Sequence, residues 1–185
     1  MAAISLSDKK ILMILPHRKF QEEEYEGTSA VLTETLANVV IASSHDTAKG
    51  IKGTIVKSNL LIKEVDSKKF DALILIGGVG SIEYWHNNDI IDLIREAKNN
   101  GKLICAICLA PVTLANAGLL KNIKATGYNS SGKYLGSKGA IYTGKPVEIA
   151  DKIITASGPE ASREFAQAIA DSLLEQKILN LRSRI

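Results

Sequence analysis

Short apolar runs alternating with helix-like patterns constrain this chain more than any other feature. Ile11 to Leu15, Asp71 to Ile76, Leu103 to Ile107 and Ile153 to Ala156 are each four to six residues long, with breakers such as Pro16, Gly77 and Gly101 beside them. Runs of that length, apolar without strict alternation, predict strands buried on both faces. Val39 to Ala42 reads as one more strand. Between the runs the spacing turns helical. Tyr25, Leu32, Leu36 and Val39 mark a stripe after Glu22-Glu23-Glu24, and Ile90, Leu93, Ile94 and Ala97 share a face closed by Asn99-Asn100-Gly101. Ala161, Phe165, Ile169 and Leu173 form the buried face of a last helix opened by Gly158-Pro159. Strands alternating with helices imply an α/β fold, a doubly wound and mainly parallel sheet sandwiched by helices.

The rest of the chain is less regular. Ser43 to Lys52 is polar, Lys52 to Lys63 suggests a short hairpin or edge ribbon, and Lys124 to Tyr128 and Ala140 to Tyr142 are short strand candidates. His17 to Gln21 reads as a loop at the carboxyl end of the first strand, where open α/β sheets place ligands.

The only two cysteines, Cys105 and Cys108, lie in the stretch Leu103 to Pro111. From Pro111 the pattern becomes helical, with Val112, Leu114, Ala115 and Leu119, so Cys108 falls where a strand becomes a helix. Such a turn presents its side chain at the sheet edge and closes tightly only between small residues. Ala106 and Ala110 fill those places. This is the pattern of a nucleophile elbow with cysteine as the nucleophile. Unpaired N–H groups at the following helix start favour thiolate, so Cys108 is the candidate reactive residue. Cys105 reads as a small core hydrophobe. A Cys105–Cys108 redox pair is disfavoured, because three strand residues span about 10 Å, beyond the roughly 7 Å reach of a disulfide.

Two further stretches bear on chemistry. Glu22, Glu23 and Glu26 are accounted for by dipole compensation in a first helical turn, whereas Glu24 borders the buried stripe and is placed to point inward. Gly77-Gly78-Val79-Gly80-Ser81 ends a buried strand, and its glycines allow backbone N–H groups to approach a bound group. A dinucleotide loop is not indicated, since Glu83 stands where the third glycine belongs.

Composition excludes several classes. The 185 residues suit one domain over 1–185, with no repeats or low-complexity segment. Twenty-three basic against 20 acidic residues give +3 without a basic patch, with Arg182 and Arg184 a weak tail feature, so no nucleic-acid partner is expected. Two close cysteines offer no disulfide framework and argue for a reducing compartment. Met1 to Lys10 has no signal-peptide pattern, and no run approaches 18 apolar residues, so neither secretion nor a membrane span is expected.

Together these stretches resemble the ThiJ/PfpI superfamily, which includes a parkinsonism-associated deglycase and the PfpI-type intracellular proteases. The resemblance rests on Phe20 to Gly27, Leu75 to Gly80, Ala106 to Pro111 with Ala117 to Leu120, and Thr155 to Pro159. It implies a flavodoxin-like, class I glutamine-amidotransferase-like fold. It also implies Cys108 as nucleophile, Glu24 as the carboxyl group that hydrogen-bonds the thiolate, and Gly78 and Leu109 N–H groups as an oxyanion pocket. No cofactor or metal is implied. PfpI-type members carry a histidine directly after the cysteine, where this chain has Leu109, and a second family histidine position corresponds to Tyr128. His17, His45 and His86 read as solvated loop residues, with His17 overhanging the pocket as the alternative. No Cys-His-acid triad is therefore written here. The function implied is a cytoplasmic, homodimeric or larger, cysteine-dependent enzyme acting on a reactive dicarbonyl such as methylglyoxal or its protein adducts. An oxidative-stress sensor or chaperone using Cys108 is the alternative, and an intracellular peptidase ranks last.

Overall fold

The computed structural model describes residues 5–183. Arg184 and the first four residues of the Met1 to Lys10 stretch lie outside them. In chain order the strands are β1 (Lys10–Ile14), β2 (Arg18–Phe20), β3 (Asn38–Ser43), β4 (Thr47–Gly50), β5 (Ile55–Lys57), β6 (Leu60–Leu61), β7 (Ala72–Leu75), β8 (Leu103–Ile107), β9 (Lys124–Ala125), β10 (Ile141–Tyr142), β11 (Val147–Ala150) and β12 (Ile153–Ala156). The α-helices are α1 (Glu22–Glu34), α2 (Asn88–Asn99), α3 (Pro111–Asn116), α4 (Gly132–Ser137) and α5 (Ser162–Arg182).

The main sheet has seven strands in the order β11-β12-β8-β7-β1-β3-β6. All its pairings are parallel except β11 with β12. Every residue of β7, β8 and β12 is buried, as their unbroken apolar sequences predict. Alternate side chains feed two separate cores. Leu12, Ile14, Leu73, Leu75, Ile104 and Ala106 pack with Ile90, Leu93 and Ile94 of α2. Ile11, Met13, Ile74, Cys105 and Ile107 pack with Leu32 of α1 and with Phe165, Ile169 and Leu173 of α5. Helices thus cover both faces, as a parallel sheet requires.

From β1 the chain runs outward through α1 to β3, then returns across β1 to reach β7. The strand order therefore reverses between β1 and β7, and the crevice beyond the carboxyl ends of such strands is where ligands bind in open α/β sheets. The segments following β1 and β7 carry Glu24 and the Gly77-Gly78 pair.

Several local expectations change. Leu36 is 66% exposed, because α1 ends at Glu34 and Leu36 takes a left-handed backbone (φ 65°) that turns the chain away from the helix face. The inward stripe of α1 is instead Glu24, Thr28, Val31 and Leu32, with Tyr25 only half-buried. Residues 18–20, read as loop, form β2, which pairs with β4 from the polar stretch. Strand β5 completes a hairpin with β4, and Leu60–Leu61 forms the sheet's outer edge beside β3. Among the described residues no helix is long and apolar enough to cross a membrane.

Candidate active site

Strand β8 ends at Ile107, and Cys108 follows with φ 65° before Pro111 opens α3. A left-handed backbone at a residue bearing a Cβ is strained, and it persists only where its surroundings fix it. Here the Cys108 N–H donates to Ala156 O (2.9 Å) and Cys108 O accepts from the Tyr128 N–H (2.7 Å). Ala106 and Ala110 are both fully buried against the turn, as their small size allows. Trp85 Nε1 donates to Leu109 O (3.2 Å), which fastens the residue after the cysteine. Cys105 is fully buried inside β8 and both cysteines are free.

Glu24 sits in the first turn of α1 and is fully buried. Its Oε2 accepts from the Gly77 N–H at 2.9 Å, while Oε1 makes no hydrogen bond of ordinary geometry. A Cβ on Gly77 would stand 2.5 Å from Ile107 O, 2.7 Å from Cys108 Cβ and 2.8 Å from Glu24 Oε2. Only glycine lets these three segments meet. Gly77→Ala is accordingly expected to cost about 1–3 kcal/mol of stability, read by urea unfolding, because two of its three neighbours are backbone or β-carbon atoms that cannot swing aside. Gly78 has φ 94°, which suits glycine, and this backbone turns its N–H toward the Cys108 sulfur, as the Leu109 N–H is also turned.

The electrostatics differ from the sequence expectation. Burial raises Glu24 to about 7 against the opposing hydrogen bonds of Cys108 and the Gly77 N–H, and the nearby charges of Glu160 and Glu23 add to the rise. Burial, followed by the charge of Glu24, pushes the Cys108 thiol up to about 12, outweighing the Gly78 and Leu109 N–H groups. The helix start that was expected to favour thiolate belongs to a helix of only six residues. An anionic Glu24 therefore holds the thiol protonated. When Glu24 carries the proton instead, that repulsion vanishes and its O–H can donate to the sulfur, so the pair shares one proton between carboxyl and thiol.

Cys108 and Glu24 open onto a cavity of about 350 Å³ walled by Gln21, Glu23, Ile51, Gly78, Val79, Leu109, Tyr128, Pro159 and Glu160. The four residues singled out in the sequence, Cys108, Glu24, Gly78 and Leu109, thus lie together. No histidine lines this cavity: His17 stacks on His45 (ring centroids 3.6 Å apart) at a different cavity, and His86 is exposed. Tyr128, at the position where the family can hold a histidine, is 48% exposed at the rim. Among the described residues there is no cluster of three or more His, Cys, Asp or Glu side chains placed to hold a metal.

Glu22 corrects another expectation. It is 2% exposed, and its Oε1 accepts from the Lys52 N–H at 2.6 Å, while Lys52 Nζ pairs with Glu23 at 2.5 Å. These contacts tie the β4–β5 turn to the start of α1 and set Ile51 in the cavity wall. Neither Ile51 nor Glu160 was singled out from the sequence. Glu160 directly follows the Gly158-Pro159 pair, which was a usable signal, whereas nothing local marks Ile51.

Comparisons with known proteins agree with this architecture. A sequence model of the DJ-1/PfpI family matches residues 9–172. The chain is 31% identical over 168 residues to a Caenorhabditis elegans protein named glutathione-independent glyoxalase DJR-1.2, covering 90% of each. It is 32% identical over 116 residues to a Pyrococcus furiosus protein named deglycase PfpI, covering 63% of each. The crystal structure of a ThiJ/PfpI domain protein from Brachyspira murdochii superposes with a TM-score of 0.87 at 28% identity, covering 91% of this chain and 97% of that one. On the family match over residues 9–172 and the likeness to these relatives, this chain belongs to the DJ-1/PfpI family.

Proposed function

We propose that the chain is a cysteine-dependent enzyme that converts a small reactive dicarbonyl, methylglyoxal or its adducts, by covalent catalysis at Cys108. The observation that carries the reading is the joint placement of a strained, nearly buried cysteine, a buried carboxyl that shares its proton, and two N–H groups on the sulfur. The names of the nematode and archaeal relatives, glyoxalase and deglycase, support the substrate class.

With Glu24 holding the shared proton, the Cys108 sulfur adds to the aldehyde carbon of methylglyoxal. The carbonyl π bond becomes an alkoxide held by the Gly78 and Leu109 N–H groups, and Glu24 protonates it to a hemithioacetal. Glu24, now ionised, takes the proton from that carbon to leave an enediolate; the proton returns to the neighbouring carbon while the hydroxyl proton passes to the neighbouring oxygen, which converts the adduct to a thioester of lactate. Water hydrolyses the thioester, releasing lactate and the thiol. A cavity of about 350 Å³ suits a small carbonyl compound. Without a histidine on its wall the cavity holds no Cys-His pair of the kind that expels an amine, so peptide cleavage has less support than carbonyl conversion. The reading has the enzyme work in a reducing cytoplasm, where the free thiol persists, and as a homodimer or larger assembly.

A second reading is favoured by the unpaired Glu24 Oε1. A proton on that oxygen, with Oε2 already held by the Gly77 N–H, would be donated to an oxygen of a sulfinate at Cys108, so peroxide oxidation can give a stable product and make the residue a sensor. Incubation of the protein with methylglyoxal and, in a parallel sample, with mild hydrogen peroxide separates the two. Saturable lactate formation that stops when Cys108 is alkylated is the expected result, and a sulfinate at Cys108 with no lactate would replace the first reading by the second.

A further inference from the structure

A second cavity, of about 500 Å³, lies beside the β4–β5 hairpin. Its wall gathers Arg18, Lys19 and Lys49 with His17 and Ile55, and no carboxylate lines it. None of the three cations has an acidic partner among the described residues. His17, Arg18 and Lys19 are consecutive, and the pairings of β2 with β4 and of β4 with β5 bring the distant Lys49 and Ile55 beside them.

The local structure bears a cost to hold them there. Arg18 stands opposite Lys49 in the β2–β4 register, and like charges facing across strands are destabilising. Lys19 has φ 57°, a left-handed backbone that residues with a Cβ rarely take. The guanidinium is also anchored. His17 Nδ1 lies 3.1 Å from Thr47 O, which can only accept, so Nδ1 carries the hydrogen and Nε2 is free to accept from Arg18 Nε at 3.3 Å. Both terminal nitrogens of Arg18 have no partner among the described residues. A facing cation pair, a strained lysine and an oriented guanidinium thus converge on one cavity, and none of the three forms a salt bridge among the described residues; the nearby Glu83 carboxylate accepts from the His17 N–H instead.

We infer that this cavity binds a phosphomonoester carried on a small organic body. A phosphate dianion matches three cations, and the free edge of Arg18 offers the planar fork that grips two phosphate oxygens at once. Ile51 and Ile55, 50% and 69% exposed, provide apolar surface for the organic part. Ile51 also lines the Cys108 cavity, so the two sites share a wall. Binding here needs no turnover at Cys108, and either proposal stands if the other fails.

Calorimetric titration of the full chain with glycerol 3-phosphate tests the site, with glycerol and glycerate as comparison ligands. Saturable binding of glycerol 3-phosphate, far weaker for the other two, and weakening as salt rises, is the expected result. Arg18→Gln and Lys49→Gln should each lose about tenfold or more in affinity. Each substitution relieves the facing charge, so both variants should melt no lower than the parent, and lost binding will not report lost folding. Lys133→Gln removes an exposed cation elsewhere and should bind as the parent does. Equal weakening in Lys133→Gln, glycerate bound as tightly as the phosphate, or no saturable binding of glycerol 3-phosphate would each overturn the assignment.

Discussion

Replacing Cys108 with serine is expected to lower kcat/KM on methylglyoxal by about 10³-fold or more, with the protein still folded by circular dichroism. Serine keeps the turn's size and its hydrogen bonds to Ala156 O and from the Tyr128 N–H, which are backbone contacts. What it removes is the sulfur. An alcohol shares no proton with a carboxyl that titrates at about 7, and it adds to an aldehyde far more slowly than a thiolate. A merely structural Cys108 would leave turnover untouched in this variant. Full retained activity would therefore end the case for covalent catalysis at this residue.

Glu24→Gln should remove a pH dependence from stability and make the thiol easier to ionise. Glu24 is raised by burial from 4.5 to about 7. For a carboxyl raised in the folded state, the stabilising contribution is complete below about pH 4.5, where folded and unfolded forms are both protonated. It declines as pH rises through about 7, because the unfolded chain ionises first and the folded protein must then hold a buried charge. The span corresponds to about 3 kcal/mol. The stability of the parent relative to Glu24→Gln, read by urea unfolding, should fall by roughly that amount between about pH 4.5 and pH 8. A difference that stays flat across the range would show that burial does not perturb Glu24. The same variant separates two accounts of the thiol. The resemblance alone implies that Glu24 supports the thiolate, so losing it would raise the cysteine pKa. The structure implies the reverse, because the Glu24 charge is a leading cause of the upward shift. Alkylation of Cys108 at mildly alkaline pH should accordingly run faster in Glu24→Gln than in the parent.

The layered sheet was legible because its strands are covered on both faces. β1, β7, β8 and β12 have no solvent side to be patterned by polar residues, so composition alone marks them. Strand β11 was not anticipated. It is the antiparallel edge of the sheet, where Glu148 interrupts the apolar run and the burial runs against hydropathy, Glu148 being buried and Ile149 56% exposed. Strands β2 and β4 were hidden for a similar reason, since Arg18, Lys19 and Lys49 look like loop residues until the backbone pairing is seen. At the site, Cys108 and Glu24 were visible because each borders a change of local structure. Ile51 was not, because its place depends on the buried Glu22 accepting from the Lys52 N–H, a contact between residues 30 positions apart. The direction of the thiol shift was misread for a physical reason. Spacing reveals which dipoles point at a sulfur but not how much water the fold removes from it, and here burial is the larger effect.

The hairpin that carries Ile51 stands outside the seven-stranded sheet, while the backbone contacts that hold Cys108 run between β8, β12 and Tyr128. Reactivity and access are thus assigned to separately changeable parts. A descendant of this chain could acquire a new preference by lengthening, shortening or recharging one surface ribbon, with no alteration to the backbone contacts at Cys108. That route is limited where the ribbon meets the body of the protein, at the buried Ala48 and at the buried Glu22 that accepts from the Lys52 N–H, and is open along the ribbon's exposed positions.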